Sequence, residues 1–471
     1  MDGFRFAATD CSPVATPQGF VARCEDATGA GTASCVGDLF PAAQGPVVIL
    51  GTPQSMFPHQ LARQWRSYGM DVRIVSHWPA TVDVPFSEAP VLDARGHGSF
   101  LRRAVARFTL QAARRIEARL LKTQADRARR AVGQYENVLE ISEPIEFAFG
   151  LSSFVRALKP QFVFGMEAFS YGLATAWCAG LPRILQPWGG DVYLFANTTS
   201  LANLVVTHAL RRVDLLVPGS IAAGAYIQDR FGVPKERIQP LTYGADLRMF
   251  SRADDDTRRQ ICARYGIPGD SLIVMNVRRF LPLWGAEVAL EAFVRFARAR
   301  SDVHFVLLGG AGTEEGMARA RQHLSEQGIA DRFLLLQGDR PLAECAQLMS
   351  VADIGVSLMY NADMRSASVC QAAAAGAAMI VSEGAEFRSL EPLGFRAAFV
   401  SPGNVEEVLS ALHRFADDPE LRRESAESNR RYVERHEDWD KNHVRLLELI
   451  AGVCRRYRRG RPLRVGRQGR R

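Results

Sequence analysis

Pro46-Val-Val-Ile-Leu50, Gly51-Thr-Pro-Gln-Ser55, Leu61-Ala-Arg-Gln-Trp-Arg-Ser-Tyr-Gly69 and Asp71-Val-Arg-Ile-Val-Ser76 read in order as strand, turn, helix and strand. Short apolar runs bounded by turn residues suit strands of a parallel sheet, and short links between alternating elements predict a right-handed βαβ unit. The alternation continues with a helix at 154–158, strand Gln161-Phe-Val-Phe164, a helix at 173–180, strand Arg183-Ile-Leu-Gln186 and strand Val213-Asp-Leu-Leu-Val217. It restarts after Thr242-Tyr-Gly-Ala-Asp-Leu-Arg-Met-Phe250, with strands expected at 272–277, 303–308, 333–337, 354–358, 379–382 and 397–400. Two such rounds predict an α/β protein of two Rossmann-like domains facing a cleft.

The length of 471 residues fits two domains. Their expected bounds are 46–240 and 241–435, preceded by a leader without regular structure at 1–45, rich in Ala, Gly, Thr and Ser, and followed by a terminal helix and Arg-rich tail at 436–471. Hydrophobic residues make up 47 % and charged residues 23 % of the chain, as in globular proteins, and no apolar run approaches the roughly 20 residues of a membrane-spanning helix. The eight cysteines form no C-x-x-C pair and no close Cys/His set, which points to a reducing cytosol and no structural metal. The start, Met1-Asp-Gly-Phe-Arg-Phe, lacks the basic and then apolar segments of a secretory signal, so a cytoplasmic location is expected.

Net charge is +7, but it is concentrated. Residues 102–130 hold ten Arg/Lys against Glu117 and Asp126, and residues 455–471 hold nine Arg and no acid, leaving the rest of the chain acidic. Leu101, Val105, Phe108, Ala112, Ile116 and Leu120 keep near i, i+4 spacing among the arginines. That pattern fits either a basic amphipathic helix on an anionic membrane surface or a helix packed on the domain with a solvated Arg face. Aromatic residues are not interleaved among the arginines, which argues against nucleic acid.

In doubly wound sheets, ligands bind beyond the carboxyl ends of the strands, where helix N-termini favour anions. The stretch Asp363-Met-Arg-Ser-Ala-Ser-Val-Cys-Gln371, then Ala372-Ala-Ala-Ala-Gly376, follows a strand with an acid, small hydroxyl residues and a helix of small residues. Taken alone it is either a diphosphate cradle or a capped surface helix. Its order resembles the nucleotide-sugar motif of the family 4 retaining glycosyltransferases (GT-B fold), whose usual form is E-x7-E followed by A-x-A-x-G-x-P. The resemblance implies that Asp363 faces the donor sugar, Ser366 and Ser368 the phosphates, and Gln371 the ribose.

Other segments fall in the family's order. Val233-Pro-Lys-Glu-Arg-Ile238 with Tyr243-Gly-Ala-Asp-Leu-Arg-Met-Phe250 resembles its interdomain linker, and Leu307-Leu-Gly309-Gly310 its glycine turn. Asn276-Val-Arg278-Arg279-Phe-Leu-Pro-Leu-Trp284-Gly285 stands where the family reads G-R-L-x-x-x-K-G, both cations clamping the diphosphate. Arg279 aligns, but Trp284 replaces the lysine, so Arg278 or Arg365 is expected to supply the second charge; Trp284 reads either as a stacking surface for the donor or as a packing aromatic. In the first domain Gln186-Pro-Trp-Gly-Gly190-Asp191 is similar to a W-G-S-D loop of some members. Asp191 there either orients an acceptor hydroxyl or caps the next helix, and Glu167, on the same edge, is the second candidate acid.

The resemblance implies transfer of a sugar, with retention, from a nucleotide diphosphate donor to a polysaccharide or lipid-linked acceptor; the basic segments point to a peripheral place on the inner face of the plasma membrane, and, with protein groups meeting the phosphate charge and no D-x-D motif in a donor loop, no metal and no cofactor beyond the donor are expected. Two alternatives share the fold: a binding or assembly protein with a degenerate donor site, and a nucleotide-sugar epimerase.

Overall fold

The computed structural model describes residues 39–40, 44–51, 56–76, 91–93, 142–310, 313–338, 340–360 and 366–460. The leader up to residue 38, the basic segment 102–130 and the tail from residue 461 lie outside the described residues.

Val47–Leu50 forms β1 with all four residues buried, as an apolar run between turn residues requires of a central strand. It pairs in parallel with β2 (Val72–Ser76) on one side and β4 (Val163–Met166) on the other. With β3 (Val91–Asp93), β5 (Arg183–Gln186) and β6 (Leu215–Leu216) they make a parallel sheet in the order β3-β2-β1-β4-β5-β6. The second sheet comprises β7 (Leu272–Arg279), β8 (Val303–Leu308), β9 (Phe333–Leu336), β10 (Ile354–Ser357), β11 (Ala378–Ser382) and β12 (Ala397–Val400). Its order, β12-β11-β10-β7-β8-β9, repeats that of the first. In each sheet the strand order reverses beside its first strand, between β1 and β4 and between β7 and β10, which opens a crevice at the carboxyl ends there.

The expected strands match these within a residue or two; β3 alone has no counterpart in the sequence reading, being three residues at a sheet edge. Successive strand residues point to opposite faces, and both faces are covered. Val48, Leu50, Val163 and Leu185 pack with the helices Ser170–Trp177 and Ser200–Arg212. Val47, Ile49, Phe162 and Phe164 pack with Trp65 and with Leu446, Leu447 and Ile450. Those last three belong to the helix Trp439–Arg458, which therefore returns from the second sheet to close the core of the first.

The chain crosses between the sheets twice, and the crossings are bonded together. Ala245 N–H donates to the Glu437 carbonyl at 2.8 Å, and Trp439 N–H to the Ala245 carbonyl at 3.0 Å. Gly244, with φ 78°, is required there, because a Cβ would lie 2.1 Å from the Glu437 carbonyl oxygen. At the far end of the terminal helix, Tyr457 O–H donates to Asp214 at 2.8 Å, and Asp214 also pairs with Arg183 at 3.0 Å. Among the described residues no helix is long and apolar enough to cross a membrane. Cys178, Cys262, Cys345, Cys370 and Cys454 are free thiols, and among the described residues no group of His, Cys, Asp and Glu is placed to hold a metal.

Candidate functional site

At the second reversal the register between β7 and β8 slips. Asn276 pairs with Leu307, but Arg279 with Leu308, so β7 carries two extra residues, and such a bulge re-aims side chains at a strand end. Consecutive arginines thus close the strand. Arg279 is exposed and makes no ion pair among the described residues. The Arg278 guanidinium lies 3.8 Å above the centre of the Trp284 ring. Trp284 ends the turn Pro282–Trp284 and packs on the hydrophobic cluster containing Met275 and Met359. Gly285 follows with φ 61°, and a Cβ on it would come within 2.8 Å of Leu358 Cβ. The missing side chain lets the turn after β7 rest on the residue that follows β10.

From the β10 side, Ser366 is the residue before the helix Ala367–Ala374, and it is buried. Its hydroxyl lies 2.7 Å from that of Ser368 and does not cap the helix backbone. The helix N-terminus, with its partial positive charge, opens at the crevice beside the arginine pair. Gln371 lies in the next turn, half-buried. Asp363 and Arg365 lie outside the described residues. Gly309 sits one strand away from the reversal: its N–H donates to the Leu336 carbonyl at 2.7 Å, and a Cβ would approach that oxygen to 2.8 Å. That glycine therefore lets the exits of β8 and β9 close on each other.

At the first reversal, Glu167 follows β4 in the left-handed region, φ 77°, a strained conformation for a residue with a side chain. Its N–H donates to the Gln186 carbonyl at 2.9 Å, and its carboxylate accepts from Tyr171 N–H at 2.7 Å, at the start of the helix Ser170–Trp177. Burial, then the nearby Asp191 carboxylate, push the Glu167 pKa up to about 8, against the lowering effect of N–H groups from Tyr171, Phe169 and Ser170. Glu167 therefore holds a proton at neutral pH.

Of the two readings of Asp191, acceptor contact and helix cap, its hydrogen bonds lie nearer the second. Its carboxylate is buried and accepts from the N–H groups of Ala168, Trp188 (3.1 Å to each oxygen) and Val192 (2.9 Å). Burial raises its pKa while those N–H groups lower it. It staples the loop after β4 to the loop after β5, close to the capping alternative. Gly190 begins the π-helical turn Gly190–Leu194 and contributes backbone only, after Gly189 at φ 91°. Sequence reasoning missed the side chain this staple presents: Trp188, 40 % exposed at the strand end. It also missed Tyr193 and Leu194, which reach the core of the second domain and so join the two edges. A large aromatic inside a glycine-rich strand-end loop was the available signal.

The arrangement is a cleft with cations and a helix N-terminus on one wall and carboxyl groups on the other, suited to an anionic ligand beside a hydroxylated one. Residues 257–432 match the family model described as "Glycosyl transferases group 1". The chain is similar to a D-inositol 3-phosphate glycosyltransferase of Thermobispora bispora, 23 % identical over 53 % of this chain and 58 % of that one. It is also similar to an alpha-D-kanosaminyltransferase of Streptomyces kanamyceticus, 25 % identical over 53 % and 65 %. The chain thus spans less than two thirds of the length of these relatives. Among solved structures, a sucrose-phosphate synthase from Thermosynechococcus elongatus superposes with a TM-score of 0.64 at 15 % identity, covering 86 % of this chain and 98 % of that one. Anabaena HepE in complex with UDP-glucose gives 0.63 at 12 % identity over 87 % and 100 %. These likenesses show the GT-B fold, two Rossmann-like domains facing a cleft.

Proposed function

We propose, from the match of residues 257–432 to the model described as "Glycosyl transferases group 1", that the chain moves a sugar, with retention, from a nucleotide diphosphate donor to a saccharide or lipid-linked acceptor. The observation that carries this reading is the second reversal. Arg279, free of ion pairs among the described residues, stands at the end of β7 beside a helix N-terminus bearing Ser366 and Ser368. Such an edge stabilises the charge that builds on a departing diphosphate. Gln371, one turn into the helix, is assigned to the ribose and Asp363 to the donor sugar. The protein's own cations meet the phosphate charge in this reading, so transfer is expected to persist in EDTA.

On the opposite wall, protonated Glu167 and the exposed ring of Trp188 are assigned to the acceptor, the carboxyl binding a hydroxyl and the ring covering an apolar sugar face. The relatives are named for inositol phosphate, kanosamine and, in Mycolicibacterium smegmatis, phosphatidylinositol monomannoside. A lipid-linked acceptor would place the protein on the cytoplasmic face of a membrane. Exposed Arg455, Arg458 and Arg459 at the end of the terminal helix, together with the basic segment and tail, support that placement. Flotation with anionic and with neutral liposomes tests it, and equal partitioning overturns it. For the activity itself, isothermal titration with UDP, GDP and ADP followed by a nucleotide-sugar hydrolysis panel is decisive. Absence of binding by every nucleotide defeats the reading.

A further inference from the structure

In both sheets the helices run back against the strands, so their C-termini gather at the edge where the strands begin, opposite the cleft. A helix C-terminus favours cations, and in both domains arginines stand there. What they meet differs. At the strand starts of the second sheet the charges are matched: Arg300 pairs with Asp302 at 2.8 Å and with Asp417, and Arg258 pairs with Asp353 at 3.1 Å. At those of the first sheet, the acids among the described residues, Asp71 and Asp214, are already taken by Arg73 and Arg183, each at 3.0 Å. Arg156, Lys159, Arg212, Arg455 and Arg459 are exposed there and make no ion pair among the described residues. Contacts at the end of the terminal helix hold them to one edge. Arg458 donates to Gln44 at 2.7 Å, Gln161 donates to the Gly45 carbonyl at 2.7 Å, and Tyr457 donates to Asp214 at 2.8 Å. Gln44 and Gly45 lead into β1, Gln161 follows Lys159 into β4, and Asp214 follows Arg212 into β6. From this edge the chain runs on past Gly460 into residues 461–471, which hold five more arginines and no acid. Helix dipoles account for single arginines, as in the second domain, but not for the missing acids.

The helix Trp439–Arg458 measures how far this edge stands from the site. It starts at the interdomain crossing, where Trp439 N–H donates to the Ala245 carbonyl, and its 20 residues span roughly 30 Å. The cationic edge is therefore the far pole of the first domain. We infer that this pole, with Arg156, Lys159, Arg212, Arg455, Arg459 and the arginines after residue 460, docks on an anionic lipid bilayer and holds the cleft away from the lipid. Single cations spread over an edge suit phospholipid headgroups, whose charge is spread over a plane, whereas a pocket for one phosphate needs donors converging on a point. The inference rests on the membrane placement proposed above and adds to it the face that meets the lipid. A lipid-linked acceptor must then carry its reacting sugar out beyond the headgroups to reach Glu167 and Trp188.

The test is hydrogen–deuterium exchange of the full chain with vesicles of phosphatidylcholine alone and mixed with phosphatidylglycerol. Beside it runs flotation of the charge-reversed variant Arg156→Glu/Lys159→Glu/Arg455→Glu/Arg459→Glu, with folding checked by circular dichroism. Anionic vesicles should slow exchange in peptides covering 155–160, 210–214 and 455–460 and leave those covering 186–194 unchanged. The variant should lose about tenfold or more in partition, and added salt should weaken the wild type in the same direction, since each cation near an anionic surface contributes and salt screens it. UDP or GDP should bind the vesicle-bound chain as it binds the free one, because the cleft is not covered. Slowed exchange at 186–194, or competition between nucleotide and vesicles, puts the cleft on the lipid and overturns the inference; the membrane placement then stands and only the face is wrong. A variant that floats like wild type also overturns it and assigns the lipid to residues 102–130. Equal partitioning of the wild type to neutral and anionic vesicles defeats the placement and this inference with it. The exchange footprint decides the matter without any nucleotide, so a chain that binds none of them defeats the donor reading alone.

Discussion

At the β1–β4 reversal the chain buries carboxyl groups among backbone N–H donors; at the β7–β10 reversal it exposes the Arg279 guanidinium beside a helix N-terminus. The two edges share one strand order, yet their chemistry is opposite. The sheet supplies a crevice in both cases, and the loop residues alone decide what the crevice prefers. The acidic edge spends its charge on holding its own loops in place, so that what it offers a ligand is a protonated carboxyl and an aromatic ring. The basic edge keeps its charge available for a ligand.

The sharpest way to break this contrast is Asp191→Ala. It removes the acceptor of the Ala168 and Trp188 backbone N–H groups, while Val192 N–H keeps the Gly189 carbonyl at 3.0 Å, and each unsatisfied buried group costs about 1–3 kcal/mol. Urea unfolding should show a loss of about 3 kcal/mol or more in total. A loss within experimental error would mean that Asp191 is not the staple and faces a ligand after all.

Glu167→Gln tests the proton. With a folded pKa of about 8 against an ordinary 4.5, the unfolded chain ionises first as pH rises, while the native state keeps its proton. Stability of the wild type should therefore fall through that window, by up to roughly 1.4 kcal/mol per pH unit, and level off above it. Glu167→Gln, which is neutral throughout, should lack this slope and gain on wild type as pH rises. Parallel pH–stability curves would show that Glu167 is ionised and the acidic edge truly anionic.

On the opposite wall, Arg279→Ala should leave unfolding stability nearly unchanged, because the side chain is exposed and makes no ion pair among the described residues. Nucleotide affinity should fall by about 1.5–3 kcal/mol. Equal losses of stability and affinity would make Arg279 a structural residue and erase the difference between the edges. The smallest effect is expected of Gly285→Ala. A Cβ at φ 61° that meets Leu358 at 2.8 Å should cost about 1–2 kcal/mol in urea unfolding and, by displacing the Trp284 turn, weaken nucleotide binding.

The strands were legible because a strand buried on both faces must be a short apolar run, and Val47–Leu50, Ile354–Ser357 and Ala378–Ser382 are such runs. The strand Val91–Asp93 was not, since three edge residues carry no period. Arg279, Ser366 and Ser368 were named through the family resemblance, and the fold sets Arg279 at the end of β7 and Ser366 before the helix Ala367–Ala374. Asp191 was found with its two tasks left open, because a carboxylate in a loop reads alike whether it meets a hydroxyl or backbone N–H groups. Trp284 was open between stacking on a ligand and packing, and the fold shows it under the Arg278 guanidinium at 3.8 Å and against the second core.

By itself, then, the sequence determined two rounds of βα alternation and the loops in which polar residues gather, since periodicity and turn chemistry are local properties of the chain. Only the tertiary structure decided that the terminal helix closes the first core, that Asp191 staples two loops, that burial raises the Glu167 pKa and that Arg278 lies on Trp284. Each of these depends on burial or on contact between side chains and backbone that only the folded chain brings together, and no spacing along the sequence encodes it.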